Sequence, residues 1–175
     1  MILIKCNDDF FLKNITSLLE QKNLKILKDQ SFNFFYEISI DLYGNKISIK
    51  NKNKIISFQT PLLFSTIFSN IYALLSDSYI SIGKLKYNPL TQCIVANKNT
   101  HFLGSIHNLI ISNLILNKDG LSRSELYSLI WPNDKDIQIN KLDTHLTNLK
   151  KKISQDLFMD LNFISNLGNL KLVID

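Results

Sequence analysis

The feature that most constrains this chain is a change of period in its apolar residues. Over 34–58 they alternate with polar ones: Tyr36, Ile38 and Ile40, then Ile47 and Ile49, then Ile55, Ile56 and Phe58. Tyr43-Gly44-Asn45-Lys46 and Asn51-Lys52-Asn53 separate these runs. Period two around Gly and Asn turns predicts a meander of antiparallel strands. Further on the period becomes helical. Leu142, Leu146, Leu149 and Ile153 stand at i, i+4, i+7 and i+11, the stripe of one buried helix face. Both periods in separate stretches make the fold class α+β.

The opening residues predict a β-α-β unit. Ile2-Leu3-Ile4-Lys5-Cys6 reads as a short buried strand, and Asn7-Asp8-Asp9 supplies helix N-cap chemistry. Apolar residues at 10, 11, 12, 15, 18 and 19 then have helical spacing. Asn23 is the expected stop and Leu24–Leu27 the second strand. After the meander, Thr60-Pro61 is expected to open a helix with Pro at its first position, running to about Leu75. Ser76-Asp77-Ser78 is the expected boundary, giving a small α/β domain over 1–77 and a second domain over 78–175.

The second domain begins with four short strands, Tyr79–Ile82, Lys84–Tyr87, Cys93–Ala96 and His101–Leu103, turning at Asn88-Pro89 and Asn97-Lys98-Asn99. Three helices follow. The first covers Gly104–Leu116 and ends at Asn117-Lys118-Asp119-Gly120. The second starts at Ser122, with Glu125 three residues on as a capping box, and Leu126, Leu129 and Ile130 as its inner face. The third covers about Ile139 to Ile153. A β-hairpin closes the chain from Phe163-Ile164, through Gly168-Asn169, to Leu170–Ile174. Strands, three helices and a hairpin predict a winged helix-turn-helix.

Composition narrows the function. The net charge is +5 and the pI about 9.1, a balance that favours an anionic partner such as nucleic acid. The charge is uneven, however. Residues 1–80 carry 9 basic and 7 acidic groups, 81–100 carry 3 basic and none acidic, and 101–175 carry 8 of each. Charge alone therefore does not select the winged helix. The abundance of Asn, Lys and Ile matches codon bias in an AT-rich bacterial genome. No apolar run reaches the about 18 residues of a membrane span, and the start is too short in its apolar part for a signal peptide. Cys6 and Cys93 fit no metal spacing and read as reduced, buried thiols of a cytoplasmic protein. With five glycines there is no phosphate-binding loop, no nucleophile elbow and no Ser/His/Asp arrangement. The chain reads as not an enzyme, with no cofactor.

Three stretches in order resemble the effector domain of OmpR/PhoB-type response regulators. Gly120-Leu121-Ser122-Arg123-Ser124-Glu125-Leu126 is similar to that family's turn and capped second helix. Trp131 stands where the family commonly has a tryptophan, and residues 142–153, Leu-Asp-Thr-His-Leu-Thr-Asn-Leu-Lys-Lys-Lys-Ile, resemble its recognition helix. The match covers roughly 79–175. It implies a cytoplasmic DNA-binding transcription regulator, a homodimer through the N-terminal domain, and a loop over 132–139 that resembles the family's polymerase-facing loop, so RNA polymerase is a further expected partner. The chain departs from the family at Asn148, where members usually have Arg, and in the wing, where Leu167 and Asn169-Leu170-Lys171-Leu172 replace an Arg and a Gly-Tyr pair. Weaker phosphate grip by the wing follows.

The N-terminal half resembles a receiver domain through Ile2–Lys5, Asp8-Asp9 and the next helix. Asp41 is the one candidate phosphoacceptor, and it comes about ten residues early inside the hairpin pattern. The half thus reads as a degenerate receiver-like or dimerisation domain, acting without phosphorylation. A phosphorylated receiver would require Asp41 beside Asp8 and Asp9 in space, whereas Asp8-Asp9 reads more simply as helix capping.

On the third helix, Asn140, Thr144, Thr147, Asn148 and Lys151 share a face opposite the apolar stripe, with Lys141 beside them. Asn pairs with adenine, Thr with a thymine methyl or a phosphate, and Lys with phosphate. The plainer reading is a solvated polar face, which the resemblance outweighs. Lys150-Lys151-Lys152 reads as a phosphate contact or as cations favoured at a helix C-terminus, and both can hold. For His145 the resemblance implies a DNA backbone contact, against an equal case for a half-buried structural histidine. His101 and His107 read as structural, and Trp131 as core. The alternative function is a winged helix that has lost DNA and binds protein, which an apolar surface around Leu167 and Leu170 would favour.

Overall fold

The structure is a computed structural model, and it describes residues 1–21, 25–27, 33–52, 54–166 and 168–174. They divide into two compact units, Met1–Ser78 and Tyr79–Asp175. No helix among the described residues is long and apolar enough to cross a membrane.

In the first unit, β1 (Ile2–Cys6), α1 (Asp9–Glu20) and β2 (Ile26–Leu27) form the expected β-α-β, while Asn23 and Leu24 lie outside the described residues. β3 (Tyr36–Tyr43), β4 (Lys46–Asn51) and β5 (Lys54–Gln59) complete a sheet of order β2-β1-β3-β4-β5. β1 is parallel to β2 and to β3, and β3-β4-β5 run antiparallel. Paired residues share a face. Ile4 opposite Ile38 and Ile40 opposite Ile49 are all buried. The other face carries the Lys5–Glu37 ion pair and the Ser48–Ser57 hydroxyl pair. α1 and α2 (Phe64–Ser76) meet each other through Phe11 and Phe64, with ring centroids 4.9 Å apart.

α2 begins three residues later than the position of Pro61 suggests. The Thr60 amide still donates to the Asn45 carbonyl, extending the β4–β5 pairing, and Pro61 follows a cis peptide bond in the turn. Leu63, not Thr60, is the N-cap, and no side chain caps it. At the other end of the sheet, Gly44, with φ +53°, makes the tight β3–β4 turn. That turn sends the chain straight into an antiparallel strand where a receiver would cross over through a helix. Asp41 lies opposite Ser48. Asn7 grips the end of β3 through both its amide contacts with Leu42, and Asp8 accepts from the Phe11 amide at 2.7 Å as the cap of α1. No cluster of three His, Cys, Asp or Glu side chains suited to a metal ion occurs among the described residues.

The second unit opens with an antiparallel sheet, β6 (Ile80–Ile82), β7 (Leu85–Asn88), β8 (Cys93–Ala96) and β9 (Asn99–Phe102). The β8–β9 turn is shorter than the sequence suggests. Asn97 and Lys98 both take positive φ, and Asn99 is already in the strand. α3 (Ser105–Leu116) is tied to this sheet by Tyr87, whose hydroxyl bonds Asn108 Oδ1 and Ser112 Oγ, each at 2.6 Å. Burial holds that phenol well above its usual pKa, so it stays protonated.

β10 (Leu121–Ser122) leads into α4 (Arg123–Ile130), then α5 (Ile139–Leu157) and the hairpin β11 (Leu161–Asn166) and β12 (Asn169–Ile174). The capping box is present: the Glu125 amide donates to Ser122 Oγ and the Ser122 amide to Glu125 Oε2. α5 is one turn longer than the sequence stripe, because Leu157 continues the buried row of Leu142, Leu146, Leu149 and Ile153. Each such side chain contributes about 2 kcal/mol on burial, enough to fix which face of α5 points outward. β10 joins β12 to make the three-stranded sheet β10-β12-β11, an element that no sequence pattern announces. Leu170 is buried there at 1% exposure, so it is core and offers no apolar docking surface. Leu167 lies outside the described residues.

Candidate nucleic-acid interface

With its apolar row buried, α5 presents Asn140, Thr144, Thr147, Asn148, Lys150, Lys151 and Lys152 to solvent. Thr144 and Thr147 donate back to the carbonyls of Asn140 and Asp143, which leaves their methyls and hydroxyl lone pairs facing out. Asn148 and the three lysines make no ion pair or side-chain hydrogen bond among the described residues, so their donors are available. The acids of α5 are both engaged off this face. Asp143 pairs with Arg123 Nε at 3.2 Å, and Asp156 Oδ2 bonds His101 Nδ1 at 2.5 Å. The zero net charge over 101–175 therefore hides a local imbalance, in which the cations stand out and these acids are held by neighbours.

Lys141 and His145 are placed differently from the other candidates. Lys141 Nζ pairs with Asp134 at 3.0 Å and sits 4.3 Å from the Trp131 ring centroid. Asp134 also accepts from the Tyr127 hydroxyl at 2.5 Å. The Tyr127 bond, then Lys141, holds the Asp134 carboxyl below its usual pKa, and the bond to Asp134 raises Lys141. Trp131 is half-buried, 4.7 Å from Tyr127 and 5.5 Å from His145 between ring centroids. These five residues join the end of α4, the loop after it and the start of α5. They brace the outward face of α5 from its N-terminal side, and Lys141 and His145 both remain partly exposed. Asp134 and Tyr127 were missed in the sequence, since Asp134 lies in the loop between α4 and α5, where no helical or strand period tells where a side chain points.

The wing contributes little cation. β12 carries Lys171, whose side chain passes close to Gly120, and β11 carries none. Between the hairpin and α5, the lysines therefore lie mainly on α5.

No protein-family model matches the chain, and no curated protein matches it. Distant solved structures do. One is the C-terminal domain of the nisin resistance regulator NsrR, a lantibiotic response regulator. It is 21% identical, with 55% of this chain and 96% of that one covered and a TM-score of 0.42. The DNA-binding domain of E. coli CadC is 14% identical over 54% of this chain and 89% of that one, with a TM-score of 0.43. A mutant of RitR is 14% identical over 67% of this chain and 55% of that one, also at 0.43.

Proposed function

We propose that the second unit binds double-stranded DNA, with α5 in the major groove, and that the chain is a transcription regulator of OmpR/PhoB type. The observation that carries this is the outward face of α5: Asn140, Thr144, Thr147 and Asn148, then Lys150–Lys152 before its last turn, and its acids engaged with Arg123 and His101. Lysines there bind phosphate and set register, while Asn and Thr read base edges. The first unit serves as a dimerisation domain that works without phosphorylation. Asp8 caps α1 and β3 runs directly into a hairpin. Asp8 and Asp41 both lie near Cys6, but no group of three His, Cys, Asp or Glu side chains suited to a metal ion stands there among the described residues, which supports a unit that works without phosphorylation. A dimer places two copies of α5 on half-sites about one DNA turn apart. Leu129, expected on the inner face of α4, is 50% exposed, the inner place being taken by Tyr127. With Ile137, 52% exposed, and Leu121 it borders an open depression. That apolar surface beside the 132–138 loop supports RNA polymerase as a second partner, and is also where the protein-binding alternative would act.

Single substitutions distinguish the roles. Lys151→Ala is expected to weaken binding evenly across DNA sequences and to lower the salt slope by about one. Asn148→Ala is expected to leave the slope alone and relax preference at one base pair, by about 1–3 kcal/mol. Selected-site sequencing with salt titrations of both variants checks this, and equal behaviour of the two would sink the assignment.

A further inference from the structure

The chain has three histidines, and all fall in the second unit: His101 on β9, His107 on α3 and His145 on α5. His107 is buried at 8% exposure, and its Nε2 has no hydrogen-bond partner among the described residues. Its ring meets His145 edge-on with centroids 5.6 Å apart, and His145 lies 5.5 Å from Trp131. A line of rings therefore runs from α3 through α5 to the end of α4. The titratable groups that act on His107 are His145 and Lys152 from α5 and His101 from β9. α4 and β12 also pack on α3. Of their charged groups, Arg123 pairs with Asp143 and Glu125 bonds Ser122, and neither these nor Lys171 acts on the ring. No carboxylate acts on the ring, and Asp156 is bonded to His101. A proton on His107 would thus be a buried charge with cations as neighbours and no acid to offset it.

We propose that His107 is an acid-sensitive latch. Neutral, it seats α5 against α3 through His145; protonated, it releases α5, and the outward face of that helix is no longer presented. The consequence for DNA rests on the function proposed above, whereas the latch itself does not. Burial first, then His145, Lys152 and His101, holds this imidazole below its ordinary pKa. A group depressed in the folded state binds its proton more readily when unfolded. Its contribution to stability is therefore full above the unfolded value of about 6.5 and is lost as pH falls toward the folded one. One such proton changes the unfolding equilibrium by at most about tenfold per pH unit.

Trp131 is the single tryptophan and sits in the line of rings, so its emission reports this packing. The experiment is urea unfolding of the full chain, followed by that emission between about pH 7.5 and 5, for the wild type and His107→Phe, which keeps a ring and removes the titration. The wild-type unfolding constant should rise on acidification more than that of the variant, by up to about tenfold per unit. Parallel curves would overturn the latch. Should His107→Phe fail to fold, NMR titration of the wild-type imidazoles decides. A His107 ring that stays neutral until the α5 amide signals lose their folded positions supports the proposal. A ring that titrates near about 6.5 with those signals intact overturns it. Duplex DNA binding over the same pH range separates the two readings: pH-dependent unfolding without DNA binding at any pH keeps the latch and removes the DNA assignment.

Discussion

Phe158 shows how much a single residue can say. It is the C-cap of α5, in the left-handed region at φ 55°, and 79% exposed. A bulky L residue there costs about 1–2 kcal/mol, and so exposed a ring has little packing to offset that. Phe158→Gly is therefore expected to stabilise the chain by roughly 1 kcal/mol, read as a higher urea midpoint. A lower midpoint would mean that the ring packs more than its exposure implies. Elsewhere the sequence was informative wherever one residue acts on its near neighbours in the chain. Ser122 with Glu125 spelled out the cap of α4, and Asp8 that of α1. Lys141, Asp134, Arg123 and Asp143 were not readable in this way, because their partners come from a loop or from the next helix and no periodicity links them.

Among the elements, α5 was the most legible, since five buried residues repeat on one stripe, and its outward face followed by subtraction. The β10–β12 pairing was the least legible. Two residues carry no period, and their partner lies about fifty positions on. That pairing depends on Gly120, whose φ is +86°. A Cβ there would stand 2.8 Å from Lys171 Cγ and 2.9 Å from the Leu170 carbonyl oxygen. The lysine stem can move aside, but the backbone oxygen cannot. Gly120→Ala is expected to destabilise the unit by about 1–3 kcal/mol, visible as a lower unfolding midpoint and faster amide exchange in β12. Unchanged exchange would show that β10 and β12 part without consequence. The start of α2 was misplaced for a related reason. Pro61 suits a first helical turn, but the Thr60 amide is held by Asn45, which keeps the chain in strand geometry past that point.

For the whole molecule, charge is the quantity that the sequence obscured and the fold resolves. The net +5 is not concentrated in the winged helix by count. Asp143 is paired with Arg123 and Lys141 with Asp134, while Asp156 is hydrogen-bonded to His101, so Lys150–Lys152 are the lysines of α5 without an ion-pair partner among the described residues. If those lysines grip phosphate, binding is dominated by counterion release and each lost contact removes about 0.9 from the slope of log affinity against log salt. The most direct test is binding of the full chain to AT-rich duplex DNA across a salt series, beside a variant in which Lys150, Lys151 and Lys152 are all alanine. Affinity that falls linearly with log salt in the wild type, with a slope lower by about two to three in the variant, is the expected result. No binding at low salt, or identical slopes for the two proteins, would contradict the assignment of α5 as the DNA-contacting helix.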